Sequence, residues 1–189
     1  MSASNIVWDF VREARVYDGF TKIVRQTYKM PDGQEADWDV ALGGRSVALV
    51  ARTTAGEFIL VRQFRVGPGR LLDELPGGYV DASEEVLDAA ARELLEETGY
   101  GAGEMTVIGR TWLSASSQLE QFCVLAQDCR PLQSPTPDAL EFQEVILVPE
   151  EAFLVKVRQG DMTDAGLAFM AIDYMRDRGP VQGPGKVGG

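Results

Sequence analysis

Gly78-Tyr79-Val80-Asp81-Ala82-Ser83-Glu84, then seven residues, then Arg92-Glu93-Leu94-Leu95-Glu96-Glu97-Thr98-Gly99-Tyr100: on this stretch the reading of the whole chain turns. Asp81 and Glu84 stand at capping-box spacing, and Leu87, Ala90, Ala91, Leu94 and Leu95 recur as one apolar face. A helix is therefore expected over Asp81 to Thr98. Gly99 supplies its end, since glycine takes the left-handed closing conformation without a Cβ penalty. At about 100° per residue, Glu93 and Glu97 fall ~40° apart around that helix, and Glu96 lies on the same side. Carboxylates so close repel one another unless they are solvated, protonated or wrapped around cations. Ligation by oxygen alone suits Mg²⁺ or Mn²⁺ better than zinc. Two neighbours argue against a merely solvated acidic face. Arg92 can neutralise Glu96 at i,i+4, and the Pro76-Gly77-Gly78 turn lets backbone approach the carboxylates closely.

Working outward, the chain before this segment reads as strands. Phe20 to Tyr28 roughly alternates, Met30-Pro31-Asp32-Gly33 makes a turn, and a second strand is expected around Trp38-Asp39-Val40. Ser46 to Ala51 and Phe58 to Arg65 form an apolar pair of strands, with Leu71 to Leu75 a short third. After the helix come strand-like runs at Thr106 to Leu113, Glu120 to Ala126 and Glu144 to Val148. Pro131 to Asp138 reads as an exposed loop. Glu150 to Arg158 and Asp164 to Asp177 read as helices. Residues 179–189 are rich in glycine and proline, and disorder is expected there. The order predicts an α/β (α+β) chain: a mixed sheet sandwiched between helices, preceded by a small N-terminal β-meander. We expect the meander over 1–44, as a possible dimerisation element, and a catalytic domain over 45–178.

Composition removes whole classes of function. Of 189 residues none is histidine, so a Ser-His-Asp triad, a phosphohistidine or a His-rich zinc site is impossible. Acid–base work falls to carboxylates, lysines, tyrosines or a metal-associated water. The net charge of -11 argues against a nucleic-acid surface, and it would also repel a phosphorylated substrate unless divalent cations intervene. No apolar run is long enough to span a membrane. The start lacks a basic leader and an apolar h-region, so a cytoplasmic location is expected. Cys123 and Cys129 match no metal spacing and read as buried small hydrophobes in a reducing compartment.

The spaced pattern resembles the Nudix box: Gly, five residues, Glu, seven residues, then Arg-Glu-aliphatic-x-Glu-Glu-x-Gly-apolar. Every fixed position is met, with Tyr100 in the last slot. The resemblance implies hydrolysis of a phosphoanhydride by a metal-activated water, with Mg²⁺ as cofactor and Mn²⁺ able to substitute. By position it implies that Glu93 and Glu97 are the principal metal ligands, Glu96 an added ligand or orienter, and the Gly77 carbonyl a backbone ligand. Leu60-Val61-Arg62-Gln63-Phe64-Arg65 and Leu72-Asp73-Glu74-Leu75-Pro76-Gly77-Gly78 are similar to the ADP-ribose pyrophosphatase branch. There the arginine matching Arg65 holds the diphosphate, a role suited to a guanidinium fork. Trp38 aligns with an aromatic that stacks on the nucleobase, although core packing would equally account for it. Glu74 either contacts the ribose or is a strand-end carboxylate paired to Arg62 or Arg65. Glu141-Phe142-Gln143-Glu144-Val145 matches the loop that carries the general base, with Glu141 first and Glu144 as substitute.

One departure bears on specificity. Leu113-Ser114-Ala115-Ser116-Ser117 stands where that branch carries Ser-Pro-Gly, which weakens ADP-ribose in particular and leaves diphosphate hydrolysis untouched. The expected reaction cleaves a nucleoside diphosphate sugar to a nucleoside monophosphate and a sugar phosphate. The alternatives are a nucleoside triphosphate pyrophosphohydrolase and a non-catalytic nucleotide-sugar sensor. The resemblance also implies a homodimer built through the N-terminal sheets. The expected partner is otherwise a small nucleotide, with no nucleic acid and no membrane.

Overall fold

In the computed structural model the described residues are 6–136 and 142–177. The chain divides into two units. One takes the residues up to Gly44 together with Trp112–Glu120; the other takes Arg45–Thr111 and the chain from Gln121.

The first unit carries a three-stranded antiparallel sheet of β1 (Asp9–Asp18), β2 (Lys22–Lys29) and β3 (Glu35–Ala41), in that order. The Met30-to-Gly33 turn closes as expected, with the Gly33 N–H donating to the Met30 carbonyl at 2.8 Å. Gly33 has φ +87°, a conformation that suits glycine. Register is reinforced across the sheet by Arg25, which faces Asp39 and donates to it at 2.8 Å and 3.0 Å. That contact also raises the Arg25 pKa. β1 had no clear signal in the sequence. Its residues are exposed throughout, so no in-out alternation marks it.

The second unit holds the mixed sheet. Its strands are β4 (Arg45–Thr53), β5 (Phe58–Arg65), β6 (Arg70–Glu74), β7 (Tyr79–Val80), β8 (Tyr100–Gly101), β9 (Glu104–Trp112), β10 (Glu120–Pro131) and β11 (Gln143–Val148). The ordered path is β11-β5-β4-β10-β8, with β6 on β5, β7 on β4 and β9 on β10. Successive residues of the central strands enter opposite layers, as the two-residue repeat of a strand requires. Ala48 and Val50 of β4, Phe58 and Leu60 of β5, and Cys123 and Leu125 of β10 pack with Phe153, Val157, Leu167, Ala168 and Ala171. Those partners belong to α2 (Glu150–Gln159) and α3 (Ala165–Asp177). Val47, Leu49, Ala51, Ile59, Val124 and Ala126 pack instead with Ala89, Ala90 and Leu94 of α1 (Val86–Thr98). Both faces are covered, so these strands read as near-continuous apolar runs. The expected sandwich of a mixed sheet between helices is what forms.

Two boundaries differ clearly from expectation. α1 begins at Val86 rather than Asp81, with Glu85 as N-cap. One half of the expected capping box forms ahead of the helix, where the Asp81 N–H donates to Glu84 Oε2 at 3.2 Å. β10 continues five residues past Ala126, carried through Asp128, whose φ is +53°. α1 does end at Gly99, which has φ +76° and an N–H bonded to the Leu95 carbonyl. Both cysteines are free and buried. The expected tail at 179–189 lies outside the described residues.

Candidate active site

α1 delivers its acidic residues at the end nearest the Pro76–Gly78 turn, and two devices hold them. The first is Gly77, whose N–H donates to Glu97 Oε2 at 2.7 Å. A Cβ at Gly77 would stand 2.1 Å from the Val47 carbonyl oxygen, so the chain can pass here only as glycine. A Cβ at Gly78 would meet Glu93 Oε1 at 2.4 Å. Gly77 therefore lets the turn pass against β4, and Gly78 lets backbone lie directly against Glu93. Glu97 is itself buried, 4% exposed, and an amide donor favours its ionised form.

The second device is Arg92. The sequence suggests only its i,i+4 contact with Glu96, which is present at 3.1 Å. The guanidinium also donates to Glu93 at 2.8 Å, to the Tyr79 carbonyl at 3.0 Å, and to both oxygens of Glu84 at 3.0 Å. One cation thus ties the first glutamate of the box to the last turn of its helix. The bond to Glu84 is the largest cause of the upward shift of Arg92. The same bond lowers the Glu84 carboxyl below its ordinary range. Both groups stay charged at any ordinary pH.

A second ion-pair set lies at the β5–β6 hairpin. Arg65 Nε donates to Glu74 Oε2. Glu74 has no exposed surface, and its other oxygen is taken by Thr163. Of the two sequence readings for Glu74, the buried partner of Arg65 is the one its surroundings favour, because both oxygens are engaged inside the protein. Arg62, facing Asp73, donates to it at 2.6 Å, and Lys156 adds a contact at 2.5 Å. Arg62 is the leading cause of the lowered Asp73 pKa.

Glu141 lies outside the described residues. Glu144, the substitute, is exposed and 3.9 Å from Arg62. Its neighbour Gln143 sends its amide to the Glu97 carbonyl at 3.2 Å. Alternation along β11 therefore turns Glu144 to the face opposite α1.

Within the first unit, Trp38 is half-buried and lines a cleft of about 760 Å³. Trp8, Gln26, Tyr28, Val40 and Trp112 share the lining with Ser114–Gln118, and no lining residue is charged. Trp8 and Trp38 stand 4.7 Å apart between ring centroids, and Tyr28 sits edge-on to both. Tyr28 is fixed by a bond to Gln26, and Gln26 by one to Glu13. The Ser114–Ser117 turn docks on the end of β3: the Ala41 N–H bonds the Ser116 carbonyl, and the Gln118 N–H returns to Ala41. Trp8, Tyr28 and Trp112 escaped the sequence reading because they are isolated aromatics on separate stretches.

Residues 43–166 match the family model of the NUDIX domain. The chain belongs to the Nudix family. It is 34% identical over 150 residues to an ADP-ribose pyrophosphatase of Bacillus subtilis, covering 78% of this chain and 80% of that one. A putative nudix hydrolase of Caenorhabditis elegans is 30% identical over 190 residues, covering 90% and 85%. A crystal structure of an ADP compounds hydrolase superposes with TM-score 0.82 at 22% identity, over 95% of this chain and 100% of that one, which shows the fold. The chain is a Nudix hydrolase, and Nudix hydrolases generally need a divalent metal.

The donor set suits such an ion. Glu93, Glu96 and Glu97 offer only carboxylate oxygens, and Gly78 adds no side chain beside Glu93. Among the described residues no three acidic, Cys or His side chains are gathered to hold an ion directly. Arg92 is the cation to which Glu93 and Glu96 turn, while Glu97 turns to the Gly77 amide. No helix among the described residues is long and apolar enough to cross a membrane.

Proposed function

We propose that this Nudix hydrolase cleaves the diphosphate linkage of a nucleoside diphosphate sugar such as ADP-ribose, releasing a nucleoside monophosphate and a sugar phosphate. The observation that carries the reading is the uncharged aromatic cleft around Trp38. A flat, neutral, π-faced group fits it, as a nucleobase does, and a phosphate chain does not. The Bacillus relative, named an ADP-ribose pyrophosphatase, supports the same choice.

Each residue then has a task. Trp38 stacks on the base. Arg65 presents its terminal nitrogens to the diphosphate oxygens. Glu93, Glu96, Glu97 and the Gly77 carbonyl hold the divalent cation, Mg²⁺ with Mn²⁺ able to substitute. When bound, that ion supplies Lewis acidity toward the phosphate oxygens and offsets the net charge of -11. Arg92 and the Gly77 amide orient the box carboxylates. Glu141 takes the proton as water oxygen bonds to phosphorus and the bridging P–O bond breaks. Glu74 serves as the anchor of Arg65.

The N-terminal unit is the proposed dimerisation element of a homodimer. The exposed apolar residues of β1, Phe10, Val11, Val16 and Tyr17, support that role. Two buried free thiols suit a reducing compartment, and we assign the protein to the cytoplasm.

The purified protein should be incubated with Mg²⁺ or Mn²⁺ and either ADP-ribose, other nucleoside diphosphate sugars or nucleoside triphosphates, with products read by mass. The expected products are a nucleoside monophosphate and a sugar phosphate. Release of pyrophosphate from triphosphates, with the nucleotide sugars left intact, would overturn the reading.

A further inference from the structure

The loop between α2 and α3 is joined to the strand that leads into the Nudix box at two consecutive residues. Thr163 Oγ1 donates to Glu74 Oε1 at 2.5 Å, and the Thr163 N–H donates to the same oxygen at 3.1 Å. The residue just after the strand, Leu75, donates its N–H to Asp164 Oδ2 at 3.2 Å. On one side of this seam stands Arg65, whose Nε is held by the second oxygen of Glu74. On the other side Gly77, two residues after Leu75, holds Glu97.

Glu74 has no exposed surface and carries a carboxylate, so each of its lone pairs needs a partner. Arg65 satisfies one oxygen and Thr163 the other. If the Thr163 hydroxyl is removed, Glu74 keeps a single weaker N–H donor on that side and its carboxylate is free to rotate. Arg65 then loses a fixed counter-ion. Its side chain, 42% exposed, regains rotamers that must be frozen again when an anion binds.

We propose that Thr163 is a positioning residue for substrate binding: it fixes Glu74, which fixes Arg65 in the orientation that meets the diphosphate. Asp164 pins the following residue and keeps the strand end in place. This rests on the reading of Arg65 as the diphosphate contact. Nothing in the local sequence Gly160-Asp161-Met162-Thr163-Asp164 marks the role, because the partner lies 89 positions earlier in the chain.

The test is steady-state kinetics on ADP-ribose with Mg²⁺, comparing Thr163→Val, Thr163→Ser, Arg65→Ala and the Thr163→Val/Arg65→Ala double variant. Freezing one long side chain again corresponds to a KM rise of about 3- to 10-fold for Thr163→Val, with kcat within about twofold. Thr163→Ser keeps the hydroxyl and should restore the KM. In the Arg65→Ala background, Thr163→Val should add no further rise, since the residue it acts through is gone. Where Thr163→Val does not fold, Thr163→Ala replaces it, with the thermal midpoint reported beside the KM. An unchanged KM in the folded Thr163 variant, with a raised KM in Arg65→Ala, overturns the positioning role. An unchanged KM in Arg65→Ala itself removes the diphosphate contact on which the proposal rests. Equal additive rises in single and double variants also overturn it.

Discussion

Glu93, Glu96 and Glu97 come from consecutive turns of one helix and are steered by one guanidinium and one backbone amide. Trp8, Tyr28, Trp38 and Trp112 come from four separate stretches and enclose a cleft with no charged lining. The first region is organised by charge, and each member is pinned by a named hydrogen bond. The second is organised by shape: Trp8, Tyr28 and Trp38 are held by ring contacts and by the Gln26–Tyr28 bond. The contrast implies a division of labour. Changes in the box should act on turnover, and changes in the cleft should act on affinity.

The largest effect is expected from Glu97→Gln. A neutral amide can still accept the Gly77 N–H but cannot supply the ligand charge, so kcat should fall by at least ~10²-fold while the thermal midpoint in metal-free buffer barely moves. Near wild-type rates at saturating Mg²⁺ would remove Glu97 from the metal site. The residues preceding β11 sharpen the same side of the contrast. Glu141→Gln should lose about 10²- to 10⁴-fold in kcat with affinity preserved, as the loss of a general base does. Glu144→Gln should stay within about tenfold, since its side chain faces away from α1; if it is the crippled variant instead, the base moves three residues along.

On the cleft side, Trp38→Ala should raise KM about 10-fold or more with little change in kcat. Stacking on an aromatic ring contributes ~1–3 kcal/mol, and about 1.4 kcal/mol is a factor of ten. Trp38→Phe should recover most of the loss. If Trp38→Ala lowers kcat and leaves KM alone, the cleft does not hold the base.

How much of this was legible in the sequence follows the same contrast. The box is contiguous, so its helix, its closing Gly99 and its three glutamates can be placed from spacing alone, whereas the start of α1 at Val86 and the exposure of Leu87 and Ala91, two members of the expected apolar face, cannot. Even there Arg92 was read through one contact out of five, because Glu84 and the Tyr79 carbonyl come near it only once the turn folds back. The cleft could not be assembled, because no periodicity links Trp8 to Trp112. The Ser114–Ser117 segment registered only as a departure from a pattern, whereas it forms one wall of the cleft. Local sequence does not choose between the two roles of Glu74, and its other partner, Thr163, lies beyond any local signal. β1 was missed because a strand exposed on every residue has no apolar rhythm.

The smallest expected effect concerns stability rather than activity. Burial, reinforced by the nearby Glu74 charge, pushes the Asp164 carboxyl up to about 7 from an ordinary value near 3.8. The folded state therefore holds this proton more tightly than the unfolded chain does. Its contribution to stability is complete below the unfolded pKa and is lost as pH rises through about 7. Asp164→Asn should flatten the fall in thermal midpoint between about pH 4 and 7, the interval set by those two pKa values. A variant whose midpoint falls as steeply as the parent's would show that Asp164 does not titrate there.

The central claim is that water cleaves the diphosphate of a nucleotide sugar. Its most direct test is turnover of ADP-ribose with Mg²⁺ in heavy-oxygen water, followed by mass analysis of both products. One heavy oxygen should be incorporated per turnover, carried on the phosphate of the nucleoside monophosphate or of the sugar phosphate. Unlabelled products, or label found only in inorganic phosphate or pyrophosphate, would contradict it.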